Sequence, residues 1–146
     1  MKNLFVLLAA ATLLSGCVYN SKMSTNGEQL QHHRFVLESV NGQTVVSNGA
    51  PLELSFGEKQ PILEKIYVSG TMCNGFSGTA TLHKGELKAN ELAMTRKLCS
   101  DAQLNVLDAT LSNMLRQGAQ VDLTEQQLTL ATADQTLVYR LADLMH

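Results

Sequence analysis

The feature that most constrains this chain is its punctuation. Short alternating segments recur about every 8–12 residues and are cut by turn residues, a cadence that builds sheets and leaves no room for a helical bundle. Leu52-Glu53-Leu54-Ser55-Phe56 has period two, with Leu52, Leu54 and Phe56 facing in and Glu53 and Ser55 facing out. Gly57 to Pro61 is expected to turn the chain. Arg34 to Val40 alternates more weakly and ends in Asn41-Gly42, with Gln43 to Val46 returning. Asn-Gly is a strong hairpin signal, because both central residues of a type I′ turn need positive φ. Lys65 to Met72 is a further strand, with Ile66, Val68 and Gly70 on one face, followed by a Gly-rich corner from Cys73 to Gly78. Thr79 to Leu82 and Glu86 to Ala89 form a second hairpin about His83-Lys84-Gly85, and Leu92 to Thr95 is a short extended piece.

One helix interrupts this pattern. Leu104, Leu107, Leu111, Met114 and Leu115 recur at helical spacing and form one apolar stripe, which reads as core packing. Ser100 and Gln103 fit a capping box, Asp101 suits the first turn, Arg116 the last, and Gly118 the position just past the end. Three more strands follow, at Gln120 to Leu123, Gln127 to Thr132 and Thr136 to Leu141. Leu128 and Leu130 are placed against Leu137 and Tyr139. The expected fold is mainly β (α+β): a small antiparallel barrel-like sheet with one helix over about residues 100–117, since closure removes exposed strand edges. At 146 residues with 45% hydrophobic content, the chain is one domain's worth with enough apolar material for a core.

The N-terminus reads as an address. Lys2 supplies a positive charge, and an apolar run extends from Leu4 to Leu14. That run is shorter than the roughly 20 residues a membrane-spanning helix needs, so it fits a secretory signal peptide. Its exit, Leu14-Ser15-Gly16-Cys17, resembles the lipobox of bacterial lipoproteins. The resemblance implies removal of residues 1–16 and lipidation of Cys17. Several acyl chains on one residue give lasting attachment where one chain gives only marginal binding. Val18, in place of Asp, favours the outer membrane over the inner by the same resemblance, with the domain facing the periplasm. Residues 17–28 then form the lipidated Cys and a polar tether, and residues 29–146 the domain.

With Cys17 removed from the thiol pool, Cys73 and Cys99 remain. In an oxidising compartment they read as a disulfide, whose loop contributes about 3.5 kcal/mol by chain entropy. Two buried free thiols, or one reactive thiol, are the alternatives. No CxxC is present, and two Cys without nearby His do not make a zinc site.

Chemistry is sparse elsewhere. A formal net charge of −2 with 16% charged residues argues against nucleic-acid binding through a basic surface, and 5% aromatics without Trp argue against a base-stacking platform. His32 and His33 are adjacent, so in an extended chain they point apart; His83 lies in a turn and His146 is terminal. No GxSxG, HExxH or P-loop pattern occurs. Arg96-Lys97 is the one notable basic pair; it could bind an anionic group, but an isolated pair reads more readily as a solvated face. The expectation is a non-enzyme without cofactor or metal.

Two motifs carry a family resemblance. Gly70-Thr71-Met72-Cys73-Asn74-Gly75-Phe76-Ser77-Gly78 and Thr95-Arg96-Lys97-Leu98-Cys99, with Phe35 to Gly42 as the opening element, resemble the META domain family from about Gln29 onward. Phe35 stands where the family commonly has Trp, and Lys97 where it often has Met. The resemblance implies a barrel-like β fold with one helix in a stress-induced envelope lipoprotein associated with novobiocin resistance. The expected partner is the membrane through the lipid anchor, with an envelope protein or a small amphiphile as further candidates. Of the motif residues, Gly70, Asn74, Phe76, Gly78, Thr95 and Arg96 are candidates for a structural or a binding role. Gly75 and Gly78 are expected to permit a backbone bend, and Asn74 to satisfy turn groups. On this reading the signature staples the helix start to the sheet.

Overall fold

The computed structural model describes residues 25–47, 49–60 and 64–143. The signal peptide, Cys17, most of the tether and His146 lie outside the described residues.

Ten strands and two helices follow in the order α1 (Gly27–Leu30), β1 (Arg34–Val40), β2 (Gln43–Thr44), β3 (Glu53–Gln60), β4 (Lys65–Thr71), β5 (Gly75–His83), β6 (Glu86–Lys88), β7 (Ala93–Met94), α2 (Ala102–Gln117), β8 (Ala119–Thr124), β9 (Gln127–Ala131) and β10 (Thr136–Leu141). Eight of them run β1-β3-β4-β5-β6-β8-β9-β10, every neighbouring pair is antiparallel, and β10 pairs back onto β1 to close a barrel. β2 extends the β1 hairpin and β7 adds to β5. Closure satisfies the backbone groups that an open edge would leave to solvent.

Local chemistry explains most of these elements. Asn41 (φ 50°) and Gly42 (φ 85°) make the expected I′ turn, and Lys84 (φ 52°) with Gly85 (φ 80°) make a second one. Leu130 faces Leu137 and Leu128 faces Tyr139, the pairing the alternation predicts. The interior is filled by side chains: Phe35, Leu54, Ile66, Val68, Leu87, Leu128, Leu130, Leu137 and Tyr139 are fully buried in one cluster. Leu107, Leu111, Met114 and Leu115 of α2 join the same cluster, so the helical stripe is core. Burial raises the Tyr139 hydroxyl pKa well above its ordinary value, and the hydroxyl has no hydrogen-bond partner among the described residues.

Four expectations are corrected. The chain does not turn at Gly57: β3 continues to Gln60, absorbing the irregularity as a register shift against β4 between Phe56 and Lys59. Only Met72 to Asn74 form the corner, and Gly75 to Gly78 already belong to β5. Asp101, not Ser100, caps α2, accepting from the Gln103 N–H at 2.9 Å. Packing starts ahead of Gln29: Thr25 is buried with its hydroxyl accepting from the Leu123 N–H at 2.9 Å, and Asn26 and Gln29 form a capping box that starts α1. Composition gave no hint of this, because these residues are polar and act through hydrogen bonds.

Candidate functional site

The two motifs meet at one corner of the barrel. β4 ends at Thr71, the corner Met72-Cys73-Asn74 follows, and β5 leaves from Gly75. The second motif, 95–99, links β7 to α2. Cys73 and Cys99 are joined as a disulfide, with Cα atoms 5.9 Å apart and 26 positions between them in sequence. The reading with two free thiols or one reactive thiol does not describe this structure.

Asn74 is the hub. Its side chain is buried and uses its full hydrogen-bonding capacity. Nδ2 donates to the Lys97 carbonyl at 3.1 Å and to Asp108 Oδ2 at 2.7 Å. Oδ1 accepts from the Thr95 hydroxyl and from the Lys97 N–H, both at 2.8 Å. Thr95 Oγ1 in turn accepts from the Gly75 N–H at 3.1 Å, and the Thr95 N–H donates to the Gly75 carbonyl at 3.0 Å. Asp108, in the second turn of α2, receives the N–H groups of Cys73 and Asn74 on Oδ1, each at 3.0 Å. Asn105 brackets the other side, donating to the Cys99 carbonyl and accepting from the Cys99 N–H. Buried amides and a carboxylate so fully engaged rigidify the segment that carries them.

The sequence missed Asp108 and Asn105. Both sit in a helix whose legible signal is apolar spacing, and a polar residue beside such a stripe reads as solvated until the sheet is placed against it. The role of Asn74 extends beyond the turn, since it joins three segments.

The glycine expectation needs correction. Gly75 has open space: a Cβ there would find nothing closer than the Gly70 carbonyl at 3.9 Å. Gly70 is the demanding position, where a Cβ would lie 2.2 Å from the Glu53 carbonyl oxygen and 2.6 Å from Phe76 Cζ. The absent side chain lets the buried Phe76 ring tuck beneath β4. Gly78 is tight as well, where a Cβ would lie 3.1 Å from Leu92 Cδ2.

On the outer face of β3, β4, β5 and β7 lies a shallow open groove of about 560 Å³. Ser55, Ser69 and Ser77 pair in one row across it, with Thr71, Met94 and Thr95 alongside and Glu53 at the far end. Arg96 is exposed and lies outside this lining. A second polar cluster sits at the barrel seam. Asp143 accepts from the Arg34 N–H at 2.8 Å and pairs with His33, while Arg34 Nη2 donates to Glu53 at 2.6 Å. Burial raises the Asp143 pKa, but the Arg34 N–H, His33 and the Arg34 charge outweigh it, and the net shift is downward. The Glu53 hydrogen bond raises the Arg34 pKa in turn. His83 pairs with Glu64 at 2.8 Å on the surface, and no group of three or more His, Cys, Asp or Glu able to hold a metal exists among the described residues. Among those residues, no helix is long and apolar enough to cross a membrane.

Comparison with known proteins agrees with this geometry. The META domain family matches residues 28–143, which include the corner, α2 and the barrel strands. The chain is 58% identical to a protein named heat shock protein HslJ from Escherichia coli K12, over the full length of both. A solution NMR structure with 61% identity superposes with a TM-score of 0.73, covering 84% of this chain and 99% of its own. Another, from Burkholderia xenovorans, shares the fold at 24% identity and a TM-score of 0.60, covering 79% of this chain and 85% of its own. With both motifs converging on one disulfide-closed corner of an eight-stranded barrel, and the family match spanning that whole unit, the chain belongs to the META domain family.

Proposed function

We propose that the protein is a non-catalytic, stress-induced lipoprotein, anchored through Cys17 in the outer membrane, whose domain supports the envelope from the periplasmic side under heat and antibiotic stress, novobiocin included. The observation that carries this reading is what the motif residues do. Asn74, Thr95, Asp108 and the Cys73–Cys99 bond hold segments of the chain to one another, and their polar atoms are already engaged. A robust scaffold suits a protein that works while others unfold. The name of its Escherichia coli relative, a heat shock protein, supports the stress connection. The lipobox supports the anchor.

Deleting the gene and measuring novobiocin entry and survival at elevated temperature tests the reading. Increased entry and lower survival are expected, both restored by the wild-type gene and not by Cys17→Ser. An unchanged barrier overturns it.

A second reading, a small ligand on the outer face, is favoured by the groove of about 560 Å³ beside Thr95. An amphiphile inside the barrel has no such support, because the interior is packed. Titration with acyl-chain probes should perturb Ser69 and Ser77 amide resonances if this reading holds, and leave them unmoved if it does not.

A further inference from the structure

The most exposed large apolar side chain among the described residues is Leu98, 87% exposed, and it stands between two cations and the second motif cysteine. Such a residue at a mobile tip would mean little. Here the backbone beneath it is fixed on both sides. Lys97 is held at both its N–H and its carbonyl by the buried Asn74 amide. Cys99 is held at both its N–H and its carbonyl by Asn105 and is bonded through sulfur to Cys73. The corner network therefore has a product: a rigid tip that presents Arg96, Lys97 and Leu98 to solvent.

Neither Arg96 nor Lys97 forms an ion pair among the described residues. The nearby acids face elsewhere: Asp101 caps α2 and Asp108 accepts three N–H groups of the corner. On a chain with a net charge of −2, two consecutive cations without an ion pair among the described residues, followed directly by an exposed leucine, form a local exception. An ordered apolar anchor preceded by two cations, one of them Arg, has the composition of a binding hot spot, and rigidity lowers the ordering cost of docking.

The tip's position says which way it faces. The described chain enters at Thr25, against Leu123 and beside Lys59 and Lys65. β4 runs from Lys65 at that end to Thr71 at the corner, about 20 Å along the strand. The tip therefore lies at the barrel end opposite the chain's entry. For a chain anchored through its N-terminus, as proposed above, it faces away from the membrane and toward the wall layer beneath.

We infer that residues 96–98 form a docking tip for the carboxylate-bearing peptides of the cell-wall polymer. Arg96 and Lys97 pair with peptide carboxylates, and Leu98 rests on the aliphatic part of the same peptide. The placement rests on the anchored reading; the recognition chemistry does not.

The test is co-sedimentation of the detergent-solubilised, full-length mature chain with isolated wall sacculi. At about 50 mM salt the wild type should pellet, and raising the salt should release it as exposed charges are screened. The double variant R96E/K97E should bind about tenfold more weakly, and Leu98→Ser about fivefold. Both sites are exposed, and unchanged melting of the variants confirms that only the tip has altered. Amidating the sacculus carboxylates should abolish wild-type binding. A wild type that stays in the supernatant overturns the inference. So does a charge-reversed chain that pellets like the wild type, or undiminished binding to amidated sacculi. Fractionating cells for the mature chain tests the anchor separately: loss of outer-membrane association would remove the proposed orientation and leave the sacculus result standing.

Discussion

The corner at Asn74 and the seam between β1 and β10 face the same problem and solve it with different physics. Each joins segments far apart in the chain. The corner uses a disulfide, a buried amide and a carboxylate taking three N–H groups. The seam has the β1–β10 ladder, and its polar supplement is a partly exposed set, with the side chains of His33, Arg34, Glu53 and Asp143 between 27% and 38% exposed. Charges in contact with water are screened and contribute little, whereas removing a partner from a buried network leaves unsatisfied groups behind. The comparison teaches that the corner should be the stiff, costly region and the charged clasp of the seam the adjustable one.

The largest expected effect breaks the corner's covalent part. Cys73→Ala should lower stability by about 2–5 kcal/mol under oxidising conditions, seen in denaturant or thermal melts. A variant that melts with the wild type would remove the distinction between the regions. Next is a paired test of close approach. Gly70→Ala should cost about 3 kcal/mol, because its Cβ meets backbone at 2.2 Å, while Gly75→Ala should be close to neutral. Equal costs would show that the corner is sensitive to any added methyl rather than to packing beneath β4.

Asp108→Ala should cost about 2–3 kcal/mol, since three N–H groups lose their acceptor, and amide exchange at Cys73 and Asn74 should accelerate selectively. Exchange that speeds uniformly across the barrel would place Asp108 outside the corner network.

The smallest effect belongs to the clasp. Its carboxylate, Asp143, has a pKa held below the ordinary 3.8. A depressed carboxylate contributes stability in full above its unfolded pKa and loses it as pH falls through the folded value. Asp143→Asn should therefore cost under about 1 kcal/mol at neutral pH, with the difference from wild type shrinking below about pH 4 and under high salt. A difference that grows on acidification would reverse the assigned sign.

Much of this fold was legible in the chain. Period-two alternation placed Leu52 to Phe56, Asn41-Gly42 marked its turn, and the Leu128/Leu130 register against Leu137/Tyr139 followed from side-chain facing. These signals are local, and local sterics produce them. The corner was only half legible: two cysteines and an Asn-Gly stand out, but Asp108 and Asn105 do not, because their partners lie more than one element away for Asp108 and only the loop's final path brings Asn105 to Cys99. The extension of β3 to Gln60 and the bond from the Leu123 N–H to Thr25 were hidden for the same reason, whereas the Asn26–Gln29 capping box is local and can be read from an Asn three residues before a Gln.

The sequence by itself determined strand alternation, the I′ turn at Asn41-Gly42, the helical stripe and the pairing chemistry open to Cys73 and Cys99, since each depends on residues within a few positions or on thiol chemistry alone. Tertiary structure alone decided that β10 closes onto β1, that Gly70 rather than Gly75 must lack a side chain, and that Asp108 reaches the corner. Those outcomes depend on which surfaces meet once the barrel has closed, and no spacing along the chain encodes the approach of two backbones at 2.2 Å from a missing Cβ.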